Sequence, residues 1–444
     1  MSFPARVSLL ACSIAFVIPA SLSSAAEAEW PQFRGPAGQG HAAATGLPSS
    51  WSEDENCVWK CPLPGKGWSS PVIAGNEIWM TTANESPITA EEKAERLQGN
   101  TGNQPLNVAG KLSLRALCVD RRSGKLVHNI ELLVEPKPQP AHAMNSFASP
   151  TPVIEEGKLY CHFGAYGTAC LDCGTQKILW TNRETVINHE NGPGSSPVLE
   201  GDVLIFHCDG SDQQYIAALD KRTGKLAWRT DRSGEMNAEP QLKKSYGTPL
   251  VVEISGKPHL VSPAADWLYG YDPASGRELW KVPYEKLGFS ISPRPVAGHG
   301  LIFMSTSFMQ AELIAFKYDQ PGKPEIAWRF GRQAPSIPSP LLVGDEIYII
   351  SDKGVATCLD AHKGTVHWTE RLPGNYAASP LFADGKIYFA NREGVTTVIA
   401  PGTSYQLLGT GQLPGQILAS PIAVGQALYI RTDQALYRIE YLKP

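Results

Sequence analysis

A short sequence recurs along the whole chain, and its period limits the fold more than any other feature. The stretch from Ala217 to Trp228 (AALDKRTGKLAW) reads as a strand, a tight turn and a second strand that ends on tryptophan. Four copies place the turn Asp and the Trp eight residues apart: Asp172–Trp180, Asp220–Trp228, Asp272–Trp280 and Asp360–Trp368. Because these aspartates recur regularly, we assign them to turn formation and not to catalysis or metal binding.

Each copy opens with a Ser/Thr-Pro step that leads into an apolar strand. After a first interval of 81 residues, the prolines recur every 40 to 52 residues, the spacing of four-stranded propeller blades. The steps are Ser70-Pro71, Thr151-Pro152, Ser196-Pro197, Thr248-Pro249, Arg294-Pro295, Ser339-Pro340, Ser379-Pro380 and Ser420-Pro421. After Pro421 there is room for only three strands, and Cys57-Val58-Trp59-Lys60 resembles a fourth strand that has no blade in front of it. The sequence therefore predicts an all-β fold, an eight-bladed β-propeller of four-stranded antiparallel blades, closed by an N-terminal strand that completes the last blade.

The chain divides into a predicted signal peptide (1–26), an N-terminal arm (27–56) and the propeller (57–444). Arg6, the apolar run that follows it and the small residues Ser24-Ala25-Ala26 form the pattern of a secretory signal. We therefore expect an exported protein, periplasmic or extracytoplasmic, with no transmembrane segment after signal removal. Two alternatives stay open: a disordered or membrane-anchored N-terminus, and lipidation at Cys12.

Composition and cysteine placement exclude some classes of function. The formal net charge is −4 and 18% of the residues are charged, so we expect no nucleic-acid partner. Cys118, Cys170 and Cys358 each precede a turn Asp by two residues, a place for small buried side chains. Cys57 and Cys61 are the candidate disulfide. In the arm, Trp30 and Phe33 are expected to pack on the outside of the main body.

The long connections point to one face of the propeller. In a four-stranded meander the loops after strands 2 and 4 emerge on the same face, and nearly all long segments fall there: 84–110, 134–149, 184–194 and 231–247. The first of them contains Thr89-Ala90-Glu91-Glu92, a capping-box pattern that predicts a short helix to about residue 97. Loop length concentrated on one face of a rigid scaffold is typical of a binding surface.

Candidate binding residues lie on this face, just before the first strand of each blade. They are Lys66, Trp68, Phe147, His189, Lys244, Tyr246, Arg294 and Tyr376. Such a mixture of aromatic, basic and amide groups suits a peptide, a sugar or an acidic small molecule. The alternative is that the aromatic rings fill the channel and the charges are solvated.

No arrangement of residues in the sequence indicates catalysis. We find no catalytic triad of a nucleophile, a general base and a residue that orients the base. There is also no Gly-x-Ser-x-Gly motif and no paired-cysteine zinc pattern, so we expect neither catalytic residues nor a metal site. His189 with Glu190, and Asp209 with Asp212, could hold a cation by proximity alone. No cofactor-binding residue can be assigned.

The repeat Leu-Asp-x-x-Thr-Gly-Lys-x-x-Trp, preceded by a Ser-Pro first strand, resembles the pyrroloquinoline-quinone (PQQ) enzyme repeat over roughly residues 57–442. The chain looks like the non-enzymatic branch of that superfamily, which includes BamB-like outer-membrane assembly factors. The Trp30-Pro31-Gln32-Phe33-Arg34-Gly35-Pro36 opening is similar to exported PQQ-like propellers of planctomycete-type bacteria. Quinoprotein dehydrogenases carry an adjacent cysteine pair and a calcium-bound catalytic Asp, and this chain has no Cys-Cys step.

Two hypotheses of different class follow. The first is an exported, non-catalytic propeller without cofactor that binds an envelope protein, a peptide or a polysaccharide on the long-loop face, as an envelope-assembly scaffold. The second is an oxidoreductase that uses PQQ with calcium, or another cryptic oxidoreductase. The missing cysteine pair favours the first hypothesis, and the repeat alone favours the second.

Overall fold

Eight blades follow one another around a central axis in a computed structural model that describes Met1 and residues 29–98, 104–285, 287–318 and 322–442. Seven sheets have four strands, and blade 7 carries a fifth short strand. This arrangement confirms the predicted propeller. Apart from Met1, the predicted signal peptide lies outside the described residues.

In every blade the chain runs outward from the axis, so the first strand is innermost. Blade 1 consists of Val72–Ala74, Glu77–Glu85, Leu112–Asp120 and Leu126–Glu135, and blade 2 of Val153–Glu155, Lys158–His162, Thr168–Asp172 and Ile178–Asn182. Blade 3 consists of Val198–Glu200, Val203–Asp209, Gln214–Asp220 and Leu226–Asp231, and blade 4 of Leu250–Ile254, Lys257–Pro263, Trp267–Tyr271 and Glu278–Pro283.

The second half of the ring repeats this plan. Blade 5 consists of Val296–Gly298, Leu301–Ser305, Leu313–Lys317 and Glu325–Phe330, and blade 6 of Leu341–Val343, Glu346–Ile350, Val355–Asp360 and Val366–Arg371. Blade 7 consists of Leu381–Ala383, Lys386–Ala390, Val395–Ala400 and Gln406–Gln412, and blade 8 of Ile422–Val424, Ala427–Arg431, Ala435–Ile439 and Cys57–Pro62.

Burial along each blade explains the sequence pattern. In blade 3 every residue of Val203–Asp209 is buried, because neighbouring blades cover both faces of the second strand. The outer strand Leu226–Asp231 has no buried residue, since it lies at the circumference. Apolar runs in the second and third strands therefore make the core, and the fourth strand takes polar residues.

The recurrent Trp residues cover the seams between blades, as the repeat predicts. The indole Nε1 of Trp180 donates to the Lys221 carbonyl in the turn of the next blade at 3.1 Å. Its ring lies on Gly224, where an added Cβ would come within 2.4 Å of the indole and where φ is +71°. Trp328 makes the equivalent bond to the Ala361 carbonyl at 2.9 Å. Gly is required in these turns for both space and backbone conformation.

The predicted N-terminal clasp is confirmed. Cys57–Pro62 pairs antiparallel with Ala435–Ile439 and becomes the outer strand of blade 8. Trp59 then donates from Nε1 to the Arg121 carbonyl of blade 1 at 3.1 Å, which repeats the seam contact at the joint between the chain ends.

The candidate disulfide between Cys57 and Cys61 is wrong. Both residues lie on the strand Cys57–Pro62, and both are free thiols. Four residues of extended chain separate their Cα atoms by roughly 13 Å, whereas a disulfide needs a separation below about 7 Å. Their spacing is explained by the strand pairing alone.

A circular chain of hydrogen bonds joins the first strands at the axis. Among the described residues, seven of the eight junctions between neighbouring blades carry the same hydrogen bond. In it, the backbone N–H of the residue before one blade's proline donates to the hydroxyl of the Ser or Thr before the next blade's proline. The donor and acceptor pairs are Ser70 to Thr151, Thr151 to Ser196, Ser196 to Thr248, Arg294 to Ser339, Ser339 to Ser379, Ser379 to Ser420 and Ser420 to Ser70, at 2.9 to 3.1 Å. The step from Thr248 to blade 5 differs because Arg294 has no hydroxyl. We call this set the axial ring.

The long connections carry the remaining regular structure. The predicted helix is present as Ala90–Leu97, and Thr89 caps it by accepting from the Glu92 N–H at 3.2 Å. Two short antiparallel pairs, Leu106–Asn107 with Ala141–His142 and Gly288–Phe289 with Phe308–Met309, lie on the same face. Short 3₁₀ turns span Gly164–Tyr166 and Pro240–Lys243. Within the described part of the chain, no helix has the length and apolar character needed to cross a membrane.

The axial ring should contribute measurably to stability. Ser379→Ala leaves the buried N–H of Ser339 without its acceptor, which costs about 1–3 kcal/mol. We expect the free energy of unfolding in urea to fall by that amount. The control Ser404→Ala changes an exposed serine and should stay within about 0.5 kcal/mol of wild type. Equal stability of the two variants would contradict a structural role for the ring.

Candidate functional site

The N-terminal arm enters the axis from the short-turn end of the propeller. Trp30 pairs through its backbone with Ile73 of blade 1, and the Ile154 N–H of blade 2 donates to the Pro31 carbonyl at 2.9 Å. His41–Ala42 then runs parallel to the first strand of blade 7. The arm thereby fills the inner edges of these first strands, which would otherwise be left without backbone partners.

Trp30 and Phe33 were expected to pack on the outside of the main body, and this prediction is wrong. Trp30 is only 2% exposed and packs inside the ring, and Phe33 lines the axial cavity described below. The physical reason is that the inner edges of the first strands offer backbone hydrogen bonds together with deeply buried apolar surface.

Two arginines hold the arm across the axis. Arg34 donates to the carbonyls of Pro340 and Pro380, each at 2.7 Å, and so links the arm to blades 6 and 7. Arg294, the residue that replaces Ser or Thr in blade 5, donates from Nη1 to the Phe33 carbonyl at 2.5 Å. Burial lowers the pKa of both guanidinium groups to about 9, and repulsion from Arg294 contributes for Arg34. Both side chains donate to backbone carbonyls, and within the described part of the chain neither cation has a paired carboxylate.

A cavity of about 450 Å³ occupies the axis on the long-loop face. Its floor is Phe33 together with the hydroxyl-bearing residues of the axial ring. The wall combines apolar side chains with amides, namely Trp68, Met144, Tyr246, Phe289, Phe308, Ile337, Leu418, Gln104, Asn145, Asn191 and Gln241. We call this space the axial cavity. Because the arm closes the other end, the cavity opens only toward the long loops.

The mouth of the axial cavity exposes apolar side chains. Phe308 is 41% exposed, Met309 70% and Met144 40%. The two-residue strands Gly288–Phe289 and Phe308–Met309 form a small lip there, and Ser290, Ser307 and Met309 have positive φ angles of 55°, 65° and 80°. Exposed aromatic and methionine side chains around a concave site mark a surface that recognises a partner.

The charge of the axial cavity is low. Among its described lining residues the basic side chains are His142 and Arg392, and none is Asp, Glu or Cys. Arg392 contacts the Met144 sulfur through Nη1 at 3.4 Å, and its buried Nε has no hydrogen-bond partner. The buried hydroxyl of Ser290 also has none. Both atoms are shielded from solvent, so neither is presented to the open space of the cavity.

Two of the sequence-predicted site residues line the axial cavity, and a third lies beside it. Trp68 donates from its indole to the Met144 carbonyl at 3.1 Å, and Tyr246 donates to the His189 carbonyl at 2.6 Å. Lys66 lies with its ammonium 5.5 Å from the Trp68 ring centre. Both aromatic rings are therefore fixed by hydrogen bonds to neighbouring loops.

The other five predicted residues are buried away from the cavity. Phe147 and Tyr376 are at most 1% exposed and belong to hydrophobic clusters of blades 1 and 2 and of blades 6 and 7. Arg294 holds the arm. These two rings fill the clusters within and between the blades and do not fill the channel, which is what the alternative left open by the sequence had expected.

Lys244 and His189 anchor loops. The Lys244 ammonium pairs with Glu190 at 2.8 Å and is fully buried, and burial lowers its pKa. His189 accepts from the Ala165 N–H through Nε2 at 2.7 Å. Burial lowers the pKa of His189 to about 4, so the imidazole is neutral at physiological pH. Both side chains position the long loops.

The possible cation site at Asp209 and Asp212 is used otherwise. Asp209 forms a bidentate pair with Arg232 at 2.7 and 2.9 Å, and both side chains are fully buried. Asp212 accepts from the Asn188 N–H at 2.7 Å. These carboxylates fasten the loop after strand 2 of blade 3.

Seven of the eight described cysteines are buried and ill-suited to thiolate chemistry, and Cys57 is partly exposed. Burial raises the pKa of Cys170, Cys173 and Cys358 to about 12. A thiol that stays protonated at neutral pH is a poor nucleophile and a poor metal ligand. This agrees with the sequence assignment of Cys118, Cys170 and Cys358 to small core positions.

The lining does not fit PQQ with calcium. Ca²⁺ takes six to eight oxygen ligands, with carboxylates prominent among them. The described residues of the axial cavity contribute only hydroxyl and amide oxygens. We derive no chemical step through that group.

Sequence reasoning missed Phe308 and Arg392. Both lie in connections after a second strand that are too short to attract notice by length. Comparison of adjacent blades would have found Arg392, because it stands where blade 6 has Asp352, two residues before the aligned Gly394 and Gly354. Asp352 accepts from the N–H groups of Ser336 and Ile337, a role that an arginine cannot take over.

Comparisons with known proteins agree with this fold. A family model described as "Outer membrane protein assembly factor BamB" matches residues 42–230, 169–324 and 264–407 in overlapping segments. A search of curated protein sequences finds no match.

Solved structures share the architecture at low sequence identity. BamB from Moraxella catarrhalis is 12% identical, with a TM-score of 0.56, 87% of this chain covered and 99% of that one. The computationally designed Ika8 protein is 11% identical, with a TM-score of 0.56 and coverages of 86% and 99%. A europium-containing methanol dehydrogenase is 11% identical, with a TM-score of 0.52 and coverages of 91% and 89%. At these identities the likeness shows the fold alone.

Buried neutral histidines should make the protein sensitive to mild acid. The pKa of His189 is about 4 in the fold, against a value of about 6.5 in an unfolded chain. The unfolded state therefore binds the proton first, and stability is lost as the pH falls from about 6.5 to 4.

We expect the free energy of unfolding to decrease over that range. In His189→Gln its slope against pH should be smaller, by the amount that corresponds to about one proton fewer taken up on unfolding. His367→Gln, which changes an exposed histidine, is the control. An unchanged slope in His189→Gln, measured by urea titrations at several pH values, would contradict the assignment.

Proposed function

Because the chain belongs to the family described as outer membrane protein assembly factor BamB, with matches from residue 42 to residue 407, we propose that it is a non-catalytic scaffold. In this proposal the axial cavity and its lip bind an extended segment of a partner protein outside the cytoplasm, during envelope assembly. The single observation that carries the proposal is a one-ended cavity with an apolar mouth and a neutral polar floor.

The lining chemistry supports a polypeptide segment as the ligand. Trp68, Tyr246 and Phe289 offer flat surfaces for an apolar side chain. Asn191 brings an amide group next to them, suited to the backbone of an extended segment. The Asn145 amide is already bonded to Ser146, Ser149 and the carbonyls of Asn191 and Pro193 and serves to hold the wall. Arg392 faces the same space and would accommodate a carboxylate or carbonyl oxygen. The proposed ligand therefore has an aromatic or aliphatic anchor with an oxygen acceptor beside it.

Location outside the cytoplasm is part of the proposal. It is supported by the family and by the signal-like pattern of the first 26 residues. The free thiols of the described chain are mostly buried, so the fold does not depend on disulfides in that compartment.

An oxidoreductase is the alternative function. The methanol dehydrogenase neighbour has a similar ring of blades. Against it stands the lining of the axial cavity, whose described residues offer no carboxylate for a calcium ion or for a general base.

Site-specific photo-crosslinking tests the proposed surface. A photoreactive residue at Phe308 or Met144 should crosslink to one segment of one envelope protein, identified by mass spectrometry. The same residue at Arg277, in the turn between strands 3 and 4 of blade 4, should not. Phe308→Ser should weaken binding of that segment by roughly tenfold or more, as expected for an aromatic anchor. Leu179→Ser, an apolar side chain of similar exposure on the flank of blade 2 (47% against 41%), is the matched control.

Two results would overturn the proposal. One is crosslinking to partners with equal yield from the Arg277 position. The other is turnover of dye-linked alcohol or sugar substrates after reconstitution with PQQ and Ca²⁺, which would favour the alternative. We expect no turnover in that assay.

A further inference from the structure

Two histidines and an aspartate meet on the short-turn face, opposite the axial cavity. His299 lies in the turn between the first two strands of blade 5, and Asp345 lies in the equivalent turn of blade 6. His362 belongs to the turn between strands 3 and 4 of blade 6. One ligand atom from each of the three residues lies within 4.8 Å of the others. The residues thus join neighbouring blades across one seam.

The distances are close to those of a coordination sphere. Nε2 of His299 and Nε2 of His362 lie 3.6 and 3.5 Å from Oδ1 of Asp345. Ligand atoms about 2.0–2.1 Å from a tetrahedral Zn²⁺ are separated by roughly 3.3 Å. Small side-chain rotations are therefore enough to bring all three atoms onto one ion, with water at the fourth position.

The backbone under these side chains is fixed. Asp360 accepts from the N–H groups of His362 and Lys363, both at 2.9 Å, and the Ala361 N–H donates to the Asp345 carbonyl at 2.8 Å. Trp328 of blade 5 donates to the Ala361 carbonyl across the same seam. Ligands on rigid turns lose little conformational entropy when a metal binds, and this favours affinity.

His299 stands at the first position of the turn between strands 1 and 2, where its φ is 55°. The same left-handed conformation is adopted there by Glu156, Ser255 and Asp384 in blades 2, 4 and 7, so it belongs to the turn. The His299 ring lies 4.9 Å from the ring of His362, centre to centre.

We propose that His299, Asp345 and His362 form a site for a divalent transition metal, with Zn²⁺ as the best match. Two imidazole nitrogens and one carboxylate oxygen are ligands that suit zinc, and the hard ions Mg²⁺ and Ca²⁺ prefer oxygen alone. In the structure the His299 Nε2 is also 2.8 Å from the Gly344 carbonyl. When a metal binds Nε2 of His299, the imidazole proton lies on Nδ1, and the Gly344 carbonyl is hydrogen-bonded to water instead. The bound ion then crosslinks blades 5 and 6.

This proposal is independent of the function proposed for the axial cavity, because the two sites lie on opposite faces. The test uses the full mature chain without a histidine tag, treated with chelator and titrated with Zn²⁺ by calorimetry. We expect one ion per chain and a rise in the melting temperature with Zn²⁺ concentration. Co²⁺ in place of Zn²⁺ should give the visible absorption of a tetrahedral site.

Variants assign the binding to these side chains. His362→Gln and Asp345→Asn should each lower the Zn²⁺ affinity by roughly 100-fold or more, since even an indirect partner of a metal ligand is worth 10- to 100-fold. His367→Gln, an exposed histidine on the following strand, should bind as wild type does. Both variants should keep the wild-type melting temperature in chelator, which separates loss of the site from loss of the fold.

The proposal is overturned if Zn²⁺ fails to bind, or if His362→Gln and Asp345→Asn bind it as tightly as His367→Gln does. In either case the cluster is an ordinary pair of imidazole–carboxylate contacts.

Discussion

Closure of the ring is the constraint on which the rest of this structure depends. At seven of the eight junctions between neighbouring blades in the described chain, a backbone N–H beside the first strand donates to a hydroxyl of the next blade, and the last of these bonds, from Ser420 to Ser70, joins the two ends of the propeller. The same joint is secured at the circumference by the strand Cys57–Pro62. The buried Arg431 adds bonds from Nη1 to the carbonyl and the hydroxyl of Ser69 at 2.9 and 2.7 Å. In a closed ring the faces of the first and last blades cover each other, and a channel is left along the axis.

That channel explains why Arg34 and Arg294 are tolerated as buried cations. Removing a guanidinium from water is costly, and here the cost is offset by short bonds to backbone carbonyls that the closed ring brings together. The arm held by these bonds converts an open channel into a cavity with one mouth. A single departure from the repeat, Arg294 in place of Ser or Thr, thus contributes to the arrangement that gives the protein a binding site.

The repeat was sufficient to predict the blades, the clasp and the helix after Thr89, because each is encoded by local patterns: alternation, turn residues and capping. The course of the arm was not predictable in this way. Trp30 and Phe33 belong to no repeat, and their burial depends on inner strand edges formed by residues hundreds of positions away. The residues that line the axial cavity were likewise only partly predictable from local patterns. Trp68 and Tyr246 were found because they precede first strands, but position alone could not separate them from Tyr376 or Lys244, which the packing of neighbouring loops buries.

The central claim is that the arm closes the short-turn end of the axis, and hydrogen–deuterium exchange of the arm tests it most directly. The N–H groups of Trp30, Gly40 and Thr45 are bonded to carbonyls at 2.7 to 3.0 Å, two of them in blades 1 and 8. They should therefore exchange as slowly as those of the first strands, with Arg294→Ser accelerating the arm selectively. Exchange of these three amides at the rate of an unstructured peptide, while the blades stay protected, would contradict the account.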